Sequence, residues 1–459
     1  MFDLLIRNCT IVNGGERPVR GSVAIRGEKV AAILEPHTEV AAHVVIDADG
    51  HVLFPGLIDP HVHYHYPYGY RSADTDYSTE TESALVGGVT TAIRMHRDQR
   101  PLAEHLPSEI GLLESQSRID MAFHLALMTE AHLQDFPEHS QRQGINSFKL
   151  YMAYKGKAGE LQGILGADDG YLFEAMRRIG RYPGGVACVH AENSEIIERL
   201  ASDLRNSGRE GLEAWADARP GWVEKEAVTR AGYLARQADC PLYIVHISSA
   251  EGVSAIEHLR SREVRVYAEV CVHHLTTTWD SPLGNIAKVN PPLRHERDLE
   301  ALWDAVSRGV VDTVATDHVA HTTAKADVPF WEIMPGNPGT ATMLPALLTF
   351  GYHKGRLTLS QIASLLSKNA SEIFDLPEKG RIAVGADADL VVVDVEKECL
   401  VSPNALHSSS DYSLFQGMVL RGWPIVVILR GQIVLEDGEV KAPPGFGRFL
   451  RRGPQGGCA

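Results

Sequence analysis

The sequence predicts an α/β fold, a (β/α)8 TIM barrel of parallel strands with a small β-sandwich domain formed from both chain ends. Three observations predict it. Apolar strand-like runs alternate with helical intervals through the middle of the chain. Both ends carry short apolar runs separated by glycine turns. The 459 residues exceed what one compact core usually holds.

Residues 1–52 read as the N-terminal part of the sandwich. Leu4-Leu5-Ile6, Ser22-Val23-Ala24-Ile25 and Val44-Val45-Ile46 are its apolar runs, and Asn13-Gly14-Gly15, Arg26-Gly27-Glu28 and Asp49-Gly50 its turns. The same texture returns over 379–442. There Leu390-Val391-Val392-Val393 and Ile425-Val426-Val427-Ile428-Leu429 precede an Arg430-Gly431 turn and Ile433-Val434-Leu435. Neither piece is large enough to be stable alone, so the two are expected to pair. Residues 443–459 read as a Gly/Pro-rich tail whose Phe446, Phe449 and Leu450 either dock on a neighbouring subunit or fray.

The barrel is expected over 53–378. Eight candidate strands cover 52–58, 89–95, 121–128, 145–152, 186–190, 242–246, 264–271 and 311–316, with helices such as 195–206 and 250–261 between them. Eight strands joined by crossovers imply a parallel sheet, and eight closes a barrel. Asp59-Pro60 is expected to end the first strand.

Chemistry in such barrels sits at the C-terminal strand ends, and the polar residues fall there. Strand one runs into His61-Val62-His63, whose i, i+2 spacing on extended chain turns both imidazoles to one side. Strand five ends in His190, strand six in His246 and strand eight in Asp317. With 21 histidines in 459 residues, roughly one His-x-His pair arises by chance, so that pair alone says little. Its convergence with three further strand ends makes a metal centre the better reading. Imidazoles and a carboxylate suit zinc, manganese, iron, cobalt or nickel. Five donors exceed what one tetrahedral catalytic ion needs, which points to two divalent ions, zinc first. Two cations need a bridging anion. Lys149, late in strand four between Phe148 and Leu150, supplies one if burial keeps its amine neutral and carbon dioxide converts it to a carbamate, N6-carboxylysine.

Composition excludes several other classes. Net charge is −15, which disfavours nucleic acid and anionic membranes as partners. The six cysteines form no Cys-x-x-Cys pair and suit reduced thiols, so a cytoplasmic protein is expected. No apolar run approaches the ~20 residues that cross a bilayer.

His61-Val62-His63, Lys149, His190, His246 and Asp317 together resemble the binuclear-metal amidohydrolases. Within them, Ser147-Phe148-Lys149-Leu150-Tyr151-Met152-Ala153-Tyr154-Lys155 is similar to the hydantoinase/dihydropyrimidinase branch. So are Val189-His190-Ala191-Glu192-Asn193, Asn290-Pro291-Pro292-Leu293-Arg294, Thr316-Asp317-His318 and Gly385-Ala386-Asp387-Ala388-Asp389-Leu390. The resemblance implies ring opening of a cyclic amide C–N bond by a hydroxide held between the ions. It places His61, His63 and Asp317 on one ion, His190 and His246 on the other, and carbamylated Lys149 across both. Asp317 would shuttle the proton to the leaving nitrogen, and Tyr154 would donate to the developing oxyanion. It also implies a homo-oligomer, a tetramer or a dimer, and a small-molecule substrate.

Substrate contacts are expected from Tyr154, Asn290, His65 and Arg94. Asn290 matches a family position whose backbone meets the cyclic amide. Arg94 or Arg97, in the unusual Arg94-Met95-His96-Arg97-Asp98 segment, could meet a substrate carboxylate or extra carbonyl. The aromatic run Tyr64-His65-Tyr66-Pro67-Tyr68-Gly69-Tyr70 suits a ring or aryl substituent, or else packs on itself or a partner. Dihydroorotases carry an arginine where this chain has His65, which ranks that activity low. The alternatives are an allantoinase-like or dihydroorotase-like cyclic amidase and, below them, a non-catalytic dihydropyrimidinase-related scaffold.

Overall fold

A computed structural model of the chain describes residues 1–65 and 76–453. Tyr66, Tyr68 and Tyr70 of the aromatic run, and the end of the tail from 454, lie outside the described residues.

The N-terminal segment forms β1 (Phe2–Ile11), β2 (Val19–Arg26), β3 (Lys29–Leu34), β4 (Ala42–Asp47) and β5 (Val52–Pro55). The barrel follows as β6 (Leu57–Val62), β7 (Val89–His96), β8 (Asp120–Ala126), β9 (Ser147–Tyr151), β10 (Val186–His190), β11 (Leu242–Ile244), β12 (Val266–Cys271) and β13 (Thr313–Ala315). The C-terminal segment adds β14 (Leu390–Leu400), β15 (Val419–Leu429), β16 (Gln432–Glu436) and β17 (Glu439–Val440).

Strands β6 to β13 pair in sequence order, each parallel to the next. A parallel bridge between Val62 and His318 joins the last strand back to the first. Asp59 ties the same seam by accepting from Thr316 Oγ1 at 2.6 Å. Every residue of β6 to β10 is buried, because one face fills the barrel and the other meets the helices. That is why these strands read as unbroken apolar runs.

The two chain ends combine in one nine-stranded sheet, ordered β17-β16-β15-β14-β5-β1-β2-β3 with β4 on β1. Alternate side chains take opposite faces. Leu390, Val392 and Ile428 join Leu4, Ile6, Val23 and Ile25 in the core of this domain, whereas Val391, Val393, Val427 and Leu429 pack into the barrel's core.

The run 52–58 is not one strand, and Asp59-Pro60 does not end it. Val52–Pro55 pairs with β1 and β14 in the sandwich, and Leu57–Val62 opens the barrel. Gly56 makes the crossing possible: a Cβ there would collide with Thr90 Oγ1 and Asp389 Cβ. Pro60 is tolerated inside β6 because the β6–β7 register shifts between Asp59 and Val62, where a missing N–H costs no ladder bond.

A buried ion cluster joins the two domains. Lys379 Nζ lies 2.8 Å from Asp120 of β8 and 2.6 Å from Asp389, and Arg430 pairs with Asp120 as well. Removing the lysine leaves two buried carboxylates short of a partner. Lys379→Ala is therefore expected to cost about 3–5 kcal/mol, read as a lowered denaturant midpoint with the activity of the folded fraction retained.

Candidate metal centre

All six predicted metal-site residues line one small cavity of about 40 Å3 at the barrel mouth, together with Tyr154 and Asn290. His61 lies in β6, Lys149 in β9 and His190 at the end of β10, while His63, His246 and Asp317 follow strand ends. His246, Asp317 and Tyr154 have φ of 41°, 49° and 62°. Such left-handed backbone is uncommon outside glycine, and residues held in it cluster at active sites. Here it turns three side chains off their strands into the mouth.

The donors lie close together. His61 Nε2 and His63 Nε2 are 3.1 and 2.9 Å from Asp317 Oδ1. The His61 and His246 ring centres are 5.5 Å apart, and those of His190 and His246 4.4 Å. Lys149 is 1% exposed, and its Nζ has no hydrogen-bonding partner among the described residues. A buried ammonium without a partner is costly, and burial lowers the pKa of this lysine to about 8.

The electrostatics favour a cation. Burial opposes a charge on His61, but the Glu269 and Asp317 carboxylates outweigh it and raise its pKa to about 9. Burial likewise opposes the charge on Asp317, yet His61 and His63 hold its carboxyl well below the usual range. Groups that would trap a proton between them also trap a metal ion, which replaces that proton. Burial drives His63 down to about 3, and lowers His190 and His246, so all three are neutral donors.

Two carboxylates that sequence reasoning did not single out orient these rings. Glu269 of β12 faces His61 Nδ1 at 2.7 Å and accepts from His246 N at 2.9 Å and Tyr243 OH at 2.8 Å. Glu192 faces His190 Nε2 at 2.7 Å. Each carboxylate engages one ring nitrogen and so fixes which nitrogen of the ring is left to other partners. A lone carboxylate inside the apolar run 264–271 was the available signal for Glu269. Glu269→Gln is expected to weaken metal affinity by about 10–100-fold, measured by competition with a chromogenic chelator.

The predicted substrate contacts divide. Asn290 Nδ2 donates to Tyr154 OH at 2.8 Å, and both border the cavity. His65 and Arg94 do not border it. His65 stacks on Tyr77 with ring centres 5.4 Å apart. Arg94 is 3% exposed and donates to Glu109 Oε1, Tyr64 O and His65 O, so its guanidinium braces the chain leaving β6. His96 is buried beside Arg94 and His105. Arg97 is the residue of this segment that borders the cavity. Pro335 and Gly336 form its wall, while the Asn337 side chain turns away to Lys325, Tyr412 and Ala287.

A family model described as "Amidohydrolase family" matches residues 52–434. The L-hydantoinase of Paenarthrobacter aurescens is 32% identical, with 98% of each chain covered. The allantoinase of Rubrobacter xylanophilus is 33% identical, again over 98% of each. The crystal structure of dihydropyrimidinase from Brevibacillus agri NCHU1002 superposes with a TM-score of 0.91 at 32% identity, over 98% of each chain. The chain belongs to the amidohydrolase family, whose members are built around a divalent-metal centre. Within it, this is a hydantoinase-like cyclic amidohydrolase, an enzyme acting on non-peptide C–N bonds.

Proposed function

We propose that the enzyme opens a five- or six-membered cyclic ureide or imide, such as a hydantoin or dihydropyrimidine, at a pair of divalent cations, zinc first. The observation that carries this is Lys149: a buried amine without a hydrogen-bonding partner, in a cavity walled by four imidazoles and a carboxylate. The donor set fits the cations. His61, His63 and Asp317 would hold one, His190 and His246 the other, and Lys149 as N6-carboxylysine would span both. When bound, the cations supply Lewis acidity, lowering the pKa of a water towards ~7 and polarising the ring carbonyl.

The chain's own residues do the rest. Asp317, kept ionised by its histidines, accepts the water proton and returns it to the leaving ring nitrogen. Tyr154, whose OH accepts from Asn290 Nδ2 at the edge of the cavity, would donate to the carbonyl oxygen as charge develops. The Asn290 segment places the ring edge. Arg97, rather than Arg94, is the cation that a substrate carboxylate or extra carbonyl would meet.

A hydrolysis panel of hydantoin, 5-aryl hydantoins, dihydrouracil, allantoin, dihydroorotate and a cyclic imide tests this reading and separates the allantoinase-like alternative. At least one ring should open. Tyr154→Phe should keep its zinc while kcat on that substrate falls about 10²–10³-fold. An intact panel with full zinc content would defeat the proposal.

The same reading makes the enzyme a cytoplasmic homo-oligomer, a tetramer or a dimer. All five described cysteines are free. Trp222 and Tyr233, 50% and 63% exposed, lie three turns apart on one face of the helix Gly221–Gln237, which suits a subunit contact. Among the described residues, no helix is long and apolar enough to cross a membrane.

A further inference from the structure

Among the described residues, a second group of donor atoms lies beside the first. Cys271 Sγ and one ring nitrogen each of His273 and His274 all fall within 4.8 Å of one another. Cys271 is the last residue of β12, two positions after Glu269, so its side chain leaves the strand on the same face as the carboxylate that orients His61. The short helix Val272–Thr276 then folds back and presents both imidazoles to the thiol. The three residues are 0%, 3% and 4% exposed.

Their hydrogen bonding is incomplete in a particular way. His274 Nε2 donates to the Pro291 carbonyl at 3.1 Å, which leaves Nδ1 as the bare lone pair, and that Nδ1 has no partner. His273 Nε2 is buried without a partner as well. A carbonyl that fixes the tautomer of a histidine and leaves its other nitrogen as a bare lone pair is the usual outer support of a zinc ligand. Buried polar atoms left bare are rare in native proteins and ask for a reason.

We infer that Cys271, His273 and His274 form a third cation site, one that takes a single zinc ion through a thiolate and two neutral imidazoles. On binding, the Cys271 thiol gives its proton to solvent and the sulfur–zinc bond forms, with a water or a neighbouring oxygen left for the fourth position. Soft sulfur distinguishes this site from the nitrogen and oxygen donors proposed for the cation pair and selects zinc over manganese or magnesium. Through His274 the ion would clamp Pro291, and with it Asn290, against the end of β12.

The test uses the whole enzyme loaded with zinc and then freed of loosely held metal by gel filtration. X-ray absorption at the zinc edge should show a sulfur neighbour at about 2.3 Å, and elemental analysis one equivalent more than Cys271→Ser. That variant should lose the sulfur shell and one zinc yet retain measurable ring opening, which shows that it folds. His274→Gln should also lose one equivalent and serves if the cysteine variant fails to fold. Cobalt in place of zinc should give a thiolate-to-metal band in the wild type that Cys271→Ser lacks. A wild-type spectrum with nitrogen and oxygen neighbours alone overturns the inference. So does a sulfur shell that survives Cys271→Ser. The sulfur signal reports on this site whether or not the pair at the barrel mouth binds, so the two proposals fail separately.

Discussion

Lys149→Ala is expected to abolish the cation pair and, with it, turnover. The alanine removes the anion that would offset two positive charges in a buried cavity, and like charges at such range repel strongly when little water lies between them. Losing that Lewis acidity forfeits several kcal/mol of transition-state stabilisation, about 10³–10⁴-fold in rate. The signature is joint: zinc at the mouth and kcat fall together, with the fold intact by circular dichroism. A short-chain acid supplied in the medium should restore part of both by filling the space of the missing carbamate. A variant that keeps both cations and full turnover would remove Lys149 from the centre.

The same lysine sets a pH dependence. Carbamylation needs the neutral amine, and burial lowers this pKa to about 8. Below that value the neutral fraction rises about tenfold per pH unit and then levels off. Metal-stripped enzyme given zinc under a fixed partial pressure of carbon dioxide should therefore recover activity faster as pH rises towards 8, with little further gain above it. An ordinary exposed lysine would keep accelerating for about two more units.

Asp317→Asn should be the next most damaging change. The carboxylate meets both His61 and His63, and the histidines keep it ionised well below neutral pH against the opposing effect of burial. An amide can still accept from the imidazoles but cannot carry a proton to the leaving nitrogen. General acid–base catalysis is worth about 10²–10⁴-fold, and kcat should fall by that amount. Cyclic amides with a better leaving nitrogen should suffer less, because they need the proton less. Equal losses across such a series would reassign Asp317 to metal binding alone.

The chain's order of elements was written in the sequence. Period-two and unbroken apolar runs announce strands, and a histidine or aspartate at the end of such a run is placed at the barrel mouth by the strand itself. His61, His63, Lys149, His190, His246 and Asp317 could therefore be named from local pattern, as could the pairing of two end segments too small to stand alone. Tertiary structure decided what local pattern leaves open. It split the run 52–58 at Gly56, because only the closeness of Thr90 and Asp389 shows that the chain passes between domains there. It turned Arg94 to Glu109 and two carbonyls while Arg97 borders the cavity, a choice between neighbours with the same charge. It also brought Glu269 under His61, 208 positions away in the chain. Periodicity is a property of a few consecutive residues, whereas a side chain's partner is set by contacts between distant segments, which form only when the barrel closes.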